Sequence, residues 1–305
     1  MTVHLIVNPN AGKQRGLAVA GHAAAALAAA GMSVVTRVSA IPGQAIDLAA
    51  DAAHAAGAAR TAGQNDAVVA VGGDGTLFEV VNGVRKHCPE GPLPFPLGQI
   101  PVGTGNSFIR DLGIAGAEEA IAAIAGGVTR PVDLGTLRCA AGEFSFINLL
   151  GAGFVSAVAH GAARYKRWGA LSYIIAVLQE TARLSPGQFT LTVDGQQIAM
   201  EGVFVEICNS RCTGGAMQMA PDALIDDGLL DVVYMERTTR RKLLTLFPRI
   251  FSGTHVKDPV IHVVRGREIT LETATPWLLT PDGETFGTTP IAVGIRPGAV
   301  RMFCP

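Results

Sequence analysis

The chain has 305 residues, 49% of them hydrophobic and 16% charged, so it is long enough for two domains with sizeable cores, and a disordered class is excluded. Lys plus Arg (24) nearly balances Asp plus Glu (25), which leaves no global field for nucleic acid or an anionic bilayer; nucleic acid is not an expected partner, and any membrane contact has to be local. No apolar run reaches bilayer-spanning length and the N-terminus shows no basic, apolar leader, so the expectation is a cytoplasmic protein without transmembrane segments.

In chain order, residues 3–7 (VHLIV) form a continuous apolar run with β-branched members, the pattern of a strand buried on both faces of a parallel sheet. Asn8, Pro9, Asn10, Ala11 and Gly12, followed by Lys13, end it, ahead of an Ala-rich helix over 16–30. They form a candidate phosphate or ribose loop that lacks the spacing of a Walker loop. Residues 33–38 read as the next strand, 44–59 as a helix and 67–71 as a third strand.

That strand runs into Gly72-Gly73-Asp74-Gly75-Thr76, with a helix expected over 77–85. Glycines let backbone approach a bulky anion, and amides at a helix start together with the Thr76 hydroxyl can donate to phosphate. Asp74 would repel such a ligand unless a divalent cation or a proton-transfer role justified it, which points to nucleotide chemistry with magnesium. The plainer alternative is a tight turn whose Asp74 caps the helix. A strand over 97–100 leads into a third glycine turn at Gly103, Thr104, Gly105 and Asn106. Three such turns leaving the C-terminal ends of strands converge on one sheet edge, where α/β folds place ligands.

From about residue 129 strand signals dominate, at 131–138, 143–150, 189–193, 198–208, 229–235, 260–264 and 268–272. Helical stretches interrupt at 155–183 and 239–251, and Asp194-Gly195 marks a hairpin. The expected architecture is α/β plus β. A Rossmann-like three-layer nucleotide-binding domain spans 1–128 and a mostly antiparallel β-sandwich spans 129–290, with strands in 291–305 returning to the first domain. The five scattered cysteines read as buried thiols; Cys208 and Cys212 lack the partners of a zinc site. The seven histidines read as surface or capping residues.

The chain resembles the diacylglycerol kinase catalytic-domain family, the bacterial lipid kinases that are also similar to sphingosine and ceramide kinases. The likeness rests on Asn8-Pro9 with Gly12-Lys13, on Gly72 to Thr76 with Glu79 and Asn82-Gly83, and on Gly103 to Asn106. Further on it rests on Asn148, Asn209 with Gly214-Gly215, Ala220-Pro221-Asp222-Ala223, Asp226-Asp227-Gly228-Leu229 and Asp282-Gly283-Glu284. The resemblance implies transfer of the ATP γ-phosphoryl group to a lipid hydroxyl, with Mg²⁺, in the cleft between an ATP-binding and a lipid-binding domain. It assigns ATP contacts to Asn8, Pro9, Asn10, Ala11, Gly12, Ser39, Gly72, Gly73, Asp74, Gly75, Thr76, Thr104 and Asn106. Glu284 becomes the general base, with Asp74 beside it in the catalytic set. A structural Mg²⁺ falls to the Asp227 carboxylate and the carbonyls of Leu224 and Leu229.

Read from the residues alone, Glu284 is a hairpin-turn carboxylate before it is a base, and the plainer alternative for 226–229 is a solvated turn with capping aspartates. Where the family usually carries Asp after the Asn of the third loop, this chain has Ser107. Asp111 would lie one turn on if a helix began near Asn106. The alternatives carried with the lipid-kinase reading are an NAD kinase-like transferase on a soluble acceptor and a non-catalytic nucleotide- or lipid-binding regulator. Residues 155–183, with Tyr165, Trp168, Tyr173, Arg164, Lys166, Arg167 and Arg183, suit peripheral contact with a membrane surface where the lipid acceptor resides, or a core helix with a basic start. A homodimer is compatible with the sequence.

Overall fold

The computed structural model describes residues 1–63, 65–103, 105–163 and 171–305, the side chains of 163 and 171–173 excepted. Two compact units divide the chain, Met1–Leu134 with Pro297–Pro305, and Gly135–Arg296.

In the first unit, β1 (Thr2–Val7) pairs in parallel with β2 (Ser33–Val38) on one side and β3 (Ala67–Gly72) on the other, and β3 pairs in parallel with β4 (Leu97–Pro101). The order is β2-β1-β3-β4. β3 is buried along its length and β1 everywhere past Thr2, as continuous apolar strands require of a sheet covered on both faces, whereas β2 is the half-exposed edge. A left-handed turn α1 (Ala11–Gln14) precedes α2 (Gly16–Ala29); α3 (Gln44–Thr61), α4 (Asp74–His87) and α5 (Ala117–Gly126) follow. α3 packs on α4 and α2 on α5. The α3–α4 approach depends on Gly83, where a Cβ would fall 2.2 Å from the Ile46 carbonyl oxygen.

Two local expectations change here. α4 begins at Asp74 rather than Leu77, because Gly73 is its extended N-cap and Asp74 sits in the first turn, where a carboxylate meets the positive end of the helix dipole. Asp74 therefore does not act as the capping residue. After Asn106, only a 3-10 turn forms (Phe108–Arg110), with Asp111 closing it, so no α-helix starts there to carry Asp111.

β5 (Thr129–Cys139) begins in the first unit and ends in the second. The stretch 143–150 is two strands, β6 (Gly142–Phe146) and β7 (Leu149–Gly153), interrupted where the backbone amides of 147–149 turn toward a carboxylate described below. The helical stretch 155–183 contains two helices, α6 (Phe154–Ala163) and α7 (Leu171–Ala182). Arg164, Tyr165, Lys166, Arg167, Trp168 and the side chain of Tyr173 lie outside the described residues.

β8 (Gly187–Val193) and β9 (Gln196–Cys208) form the expected hairpin, with Asp194 and Gly195 both at positive φ (47° and 84°) as a type I′ turn demands. The short pair β10 (Cys212–Thr213) and β11 (Met217–Gln218) comes next, then β12 (Leu230–Glu236). α8 (Arg240–Leu246) stops at Phe247 and gives way to 3-10 turns, since Pro248 cannot supply a helical N–H. β13 (Ile261–Gly266), β14 (Glu268–Thr273), β15 (Leu279–Pro281) and β16 (Ile291–Phe303) complete the chain.

β16 is one strand where two were expected. Gly298 within it sits at φ 57° and donates its N–H to Asp133 at 2.6 Å. In the first unit its Met302 pairs in parallel with Leu97 of β4.

Every strand pairing within β12, β13, β9, β8, β14, β7 and β15 is antiparallel. Alternation along these strands sends Leu150, Ala152, Val205, Ile207, Val232, Tyr234 and Leu279 to the sandwich core. The opposite face presents Leu149, Phe204, Cys208, Val233 and Met235, which are covered by Met219, Ala223, Leu243, Leu246 and the start of α6. No helix among the described residues is long and apolar enough to cross a membrane.

Candidate active site

Strand order β2-β1-β3-β4 places the switch point of the first unit between β1 and β3, and the loops leaving these two strands meet there. The Asn8 amide donates to the Val71 carbonyl at 3.1 Å, and its side-chain Nδ2 donates to Thr76 Oγ1 at 3.3 Å. Asn8 Oδ1 accepts the Asn10 N–H at 3.0 Å, and the Asn8 carbonyl accepts the Ala11 N–H, so one asparagine folds the loop through Pro9. Gly12, Lys13 and Gln14 all sit at positive φ (56°, 61° and 66°), a costly conformation for the latter two in the place where the sequence puts a ligand loop. Gly12 packs so closely on the third loop that a Cβ would lie 2.8 Å from Val102 Cγ1 and 3.1 Å from the Gly103 amide. At Gly72 a Cβ would meet Thr76 Oγ1 at 2.3 Å, which requires glycine there.

Asp74 joins the second loop to the third. Its Oδ2 accepts the Ser107 N–H at 2.8 Å, while Oδ1 is enclosed and has no hydrogen-bond partner among the described residues. Burial pushes this carboxyl above the usual Asp range, against the pull of the Ser107 amide and hydroxyl, the Phe108 amide and the Gln99 side chain. Asn106, at φ 33°, donates to the Gly103 carbonyl at 3.0 Å and keeps an enclosed Oδ1 that is likewise unpartnered among the described residues. Two orphaned oxygens beside glycine amides form a donor set suited to a hard cation and the phosphates it accompanies. Ser39 behaves differently: both its N–H and its hydroxyl turn to the Val7 carbonyl (2.9 and 3.2 Å). Thr104 lies outside the described residues.

In the second unit Asp282 and Gly283, at φ 48° and 87°, form a tight turn closed by the Glu284 N–H on the Pro281 carbonyl at 2.9 Å. Glu284 projects from it, exposed. The turn is anchored by Asp282, whose buried carboxylate accepts the amides of Ile147, Asn148 and Leu149 at 3.0, 2.9 and 3.1 Å. Asn209 donates to the Ile147 carbonyl at 2.7 Å, and Ser210 bonds to Asn148 Oδ1. Sequence reasoning quoted Asp282, Asn148 and Asn209 as motif members without a role. The signal available in the sequence was the Asp-Gly turn pair at 282–283 alone, since the strand break it serves is visible only in the structure.

At the expected structural cation site Asp227 is already engaged. Oδ1 accepts the Leu229 N–H at 3.0 Å, and Oδ2 is ion-paired with Arg265, which also reaches Asp231 at 3.3 Å. The guanidinium supplies the positive charge that the expectation gave to Mg²⁺, and these residues do not fit a metal without displacing it. No group of three potential ligand side chains is assembled for a metal among the described residues.

The five cysteines are free, with Cys208 and Cys212 buried and the other three half-buried. Two histidines depart from the surface expectation: His4 is buried between Asp66 and Arg37, and His255 is buried with Nε2 on the Met219 carbonyl at 3.1 Å.

The first unit is a parallel α/β unit with glycine-rich loops at its switch point, and the second is an antiparallel β-sandwich-like unit. Residues 2–137 match the family model of the diacylglycerol kinase catalytic domain, and residues 148–304 match that of the YegS C-terminal NAD kinase beta sandwich-like domain. The chain belongs to the diacylglycerol kinase family. Along 99% of its length it is 31% identical to the diacylglycerol kinase of Mycobacterium tuberculosis (strain ATCC 25618 / H37Rv), 95% of which is covered. It is 34% identical to the "Probable lipid kinase YegS-like" of Stenotrophomonas maltophilia (strain K279a) over 79% of each chain. A crystal structure from Bacillus anthracis str. Sterne, provisionally named a diacylglycerol kinase, superposes with a TM-score of 0.80 at 27% identity, covering 100% of this chain and 97% of that one.

Proposed function

We propose that the protein is an ATP- and Mg²⁺-dependent lipid kinase that phosphorylates a diacylglycerol-like or sphingoid hydroxyl. The observation that carries this reading is Asp74, an enclosed carboxylate with an orphaned oxygen, fixed among glycine amides where the β1 and β3 loops meet. Phosphoryl transfer asks for positioning and charge neutralisation rather than covalent chemistry. Amides and hydroxyls from Asn8 to Gly12, from Gly72 to Thr76 and at Thr104 and Asn106 cradle the phosphates, and Asp74 orients the cation. Mg²⁺, when bound, neutralises charge on the phosphate oxygens. Glu284 takes the proton of the acceptor hydroxyl, a role typically contributing about a hundredfold or more to rate. Its exposure on a rigid turn suits an acceptor that arrives from outside.

An apolar cavity of about 50 Å³ in the second unit, lined by Phe154, Val155, Phe204, Met219, Met235 and Leu243 among others, supports a lipid acceptor. It has to widen to hold an alkyl chain, and its two methionines are the adaptable part of the wall. Ile174 and Leu178, exposed one turn apart on α7, and the exposed Leu244 of α8 provide apolar surface for reaching a bilayer.

Incubation with labelled ATP, Mg²⁺ and a panel of diacylglycerol, monoacylglycerol, ceramide and sphingoid bases should label at least one lipid, and Glu284→Gln should cut that turnover about a hundredfold or more. The second reading, a transferase acting on a soluble dinucleotide, is favoured by the family description of the β-sandwich unit. Phosphorylation of NAD with no lipid labelled would install it instead.

A further inference from the structure

Glu206 is a buried carboxyl that the chemistry above does not use. It lies on β9 between Val205 and Ile207, which face the sandwich core, so strand alternation turns it to the other face, the one covered by α6. Only 3% of the residue is exposed, and Oε2 has no hydrogen-bond partner among the described residues. Its cross-strand neighbours are Val233 of β12 and Gly151 of β7, and Gly151 in turn faces Thr280 of β15. Over Gly151 stands a hydroxyl pair, Ser156 Oγ and Thr280 Oγ1, 2.9 Å apart; a Cβ on Gly151 would lie 3.3 and 2.9 Å from them. The glycine thus leaves room for a polar row, Glu206, Ser156 and Thr280, in a layer that is otherwise apolar.

The order along this face matters. Two residues before Glu206 is Phe204, which lines the apolar cavity with Met235 opposite. In the other direction the next row is Cys208, Leu149 and Asp282, and Asp282 anchors the turn carrying Glu284. Successive rows lie about 7 Å apart. Apolar cavity, polar row and candidate base therefore follow one another as alkyl chain, linking group and reacting hydroxyl follow one another in an acylglycerol.

Resting on the lipid-kinase reading, we infer that Glu206 selects the acceptor by hydrogen-bonding an uncharged oxygen next to the reacting hydroxyl, the ester carbonyl of an acylglycerol. Among the described residues no basic side chain or amide holds the carboxyl, and burial lifts it to about 8, so near neutrality it carries its proton and donates an O–H. Such a donor suits a carbonyl oxygen. An ammonium would instead require the carboxyl to ionise in a dry layer.

The test is calorimetric and needs no turnover: binding of a micelle-dispersed short-chain diacylglycerol, its dialkyl ether analogue and a sphingoid base is measured without ATP. Wild type is expected to hold the ester about tenfold more tightly than the ether. Glu206→Gln, which keeps a donor, should retain most of that preference. Glu206→Leu and Glu206→Met should bring the ester down to the ether's level while staying folded, since each removes a buried carboxyl without a partner. Equal binding of ester and ether by wild type, a preference that survives in the apolar variants, binding of none of the three lipids, or tightest binding of the sphingoid base would each overturn the inference. The kinase reading fails separately, by absence of labelled lipid in the turnover assay, whatever the ester-to-ether ratio.

Discussion

At the residue scale the site turns on how each carboxylate is held. Asp74 has one oxygen on an amide and one orphaned, an arrangement that makes sense around a ligand and is wasteful without one. Asp74→Asn keeps the shape and removes the charge, so turnover is expected to fall by about a hundredfold or more with little change in thermal midpoint. Unchanged turnover would remove Asp74 from the mechanism. Ser107 is buried and donates its amide to Asp74, so an Asp at this position would set a second carboxylate against one that burial already drives toward protonation. That much was legible only in part. The glycines and Asp74 announced a phosphate loop, but nothing in the spacing showed that Asp74 would reach across to the third loop. Nor did the sequence flag Glu206, since one acidic residue inside an apolar run looks like the polar side of an ordinary alternating strand.

Elements explain why some assignments transferred and others did not. The apolar runs of β1 and β3, the Ala-rich helices and the Asp194-Gly195 hairpin are set by local chemistry, and they form as the sequence implies. The breaks did not show in advance. β6 and β7 separate because Asp282, more than a hundred residues away in the chain, draws in the amides of 147–149, and no local propensity encodes that. In the loop after Ala223 nothing in the sequence signalled Arg265 from β13, which is seated between Asp227 and Asp231. Removing it by Arg265→Ala leaves Asp231, only 4% of whose side chain is exposed, without its cation. Because Arg265 itself is two-fifths exposed, the expected loss is about 1–2 kcal/mol rather than the cost of a fully buried pair. If the Asp227 loop can take Mg²⁺ once the guanidinium is gone, Mg²⁺ should restore part of the lost melting temperature in this variant and do nothing comparable in wild type. Equal Mg²⁺ shifts in both proteins would show that Arg265 and the cation do not compete.

For the whole molecule, the buried titratable groups set how stability depends on pH. Glu206 ordinarily titrates near 4.5 and is raised to about 8 by burial, so the folded state keeps a proton that the unfolded state has released. Its contribution is complete below the ordinary value and is lost as pH rises through 8, with a limiting slope of about 1.4 kcal/mol per pH unit. His255 acts at the other end. Burial lowers it from 6.5 to about 4, so the stability it provides is present above 6.5 and lost as pH falls toward 4. His4, also lowered by burial, adds to that acid-side loss, while Asp74 and Asp231, both raised by burial, share the sign of Glu206. At pH 6.5 the unfolded histidines are still half protonated and oppose the Glu206 slope, an effect that fades as pH rises toward 8, so the Glu206 term is read as the difference between wild type and a variant that lacks the carboxyl. Between pH 6.5 and 8 the denaturant midpoint of wild type should drop steadily relative to that of Glu206→Gln, with the two curves diverging toward pH 8. Parallel curves would mean that Glu206 finds a partner in solution, and would weaken the case for its hydrogen bond to an acceptor. Divergent curves would show a fold that tolerates a destabilising carboxyl near the turn that carries Glu284, as expected where a binding role outweighs the loss of stability.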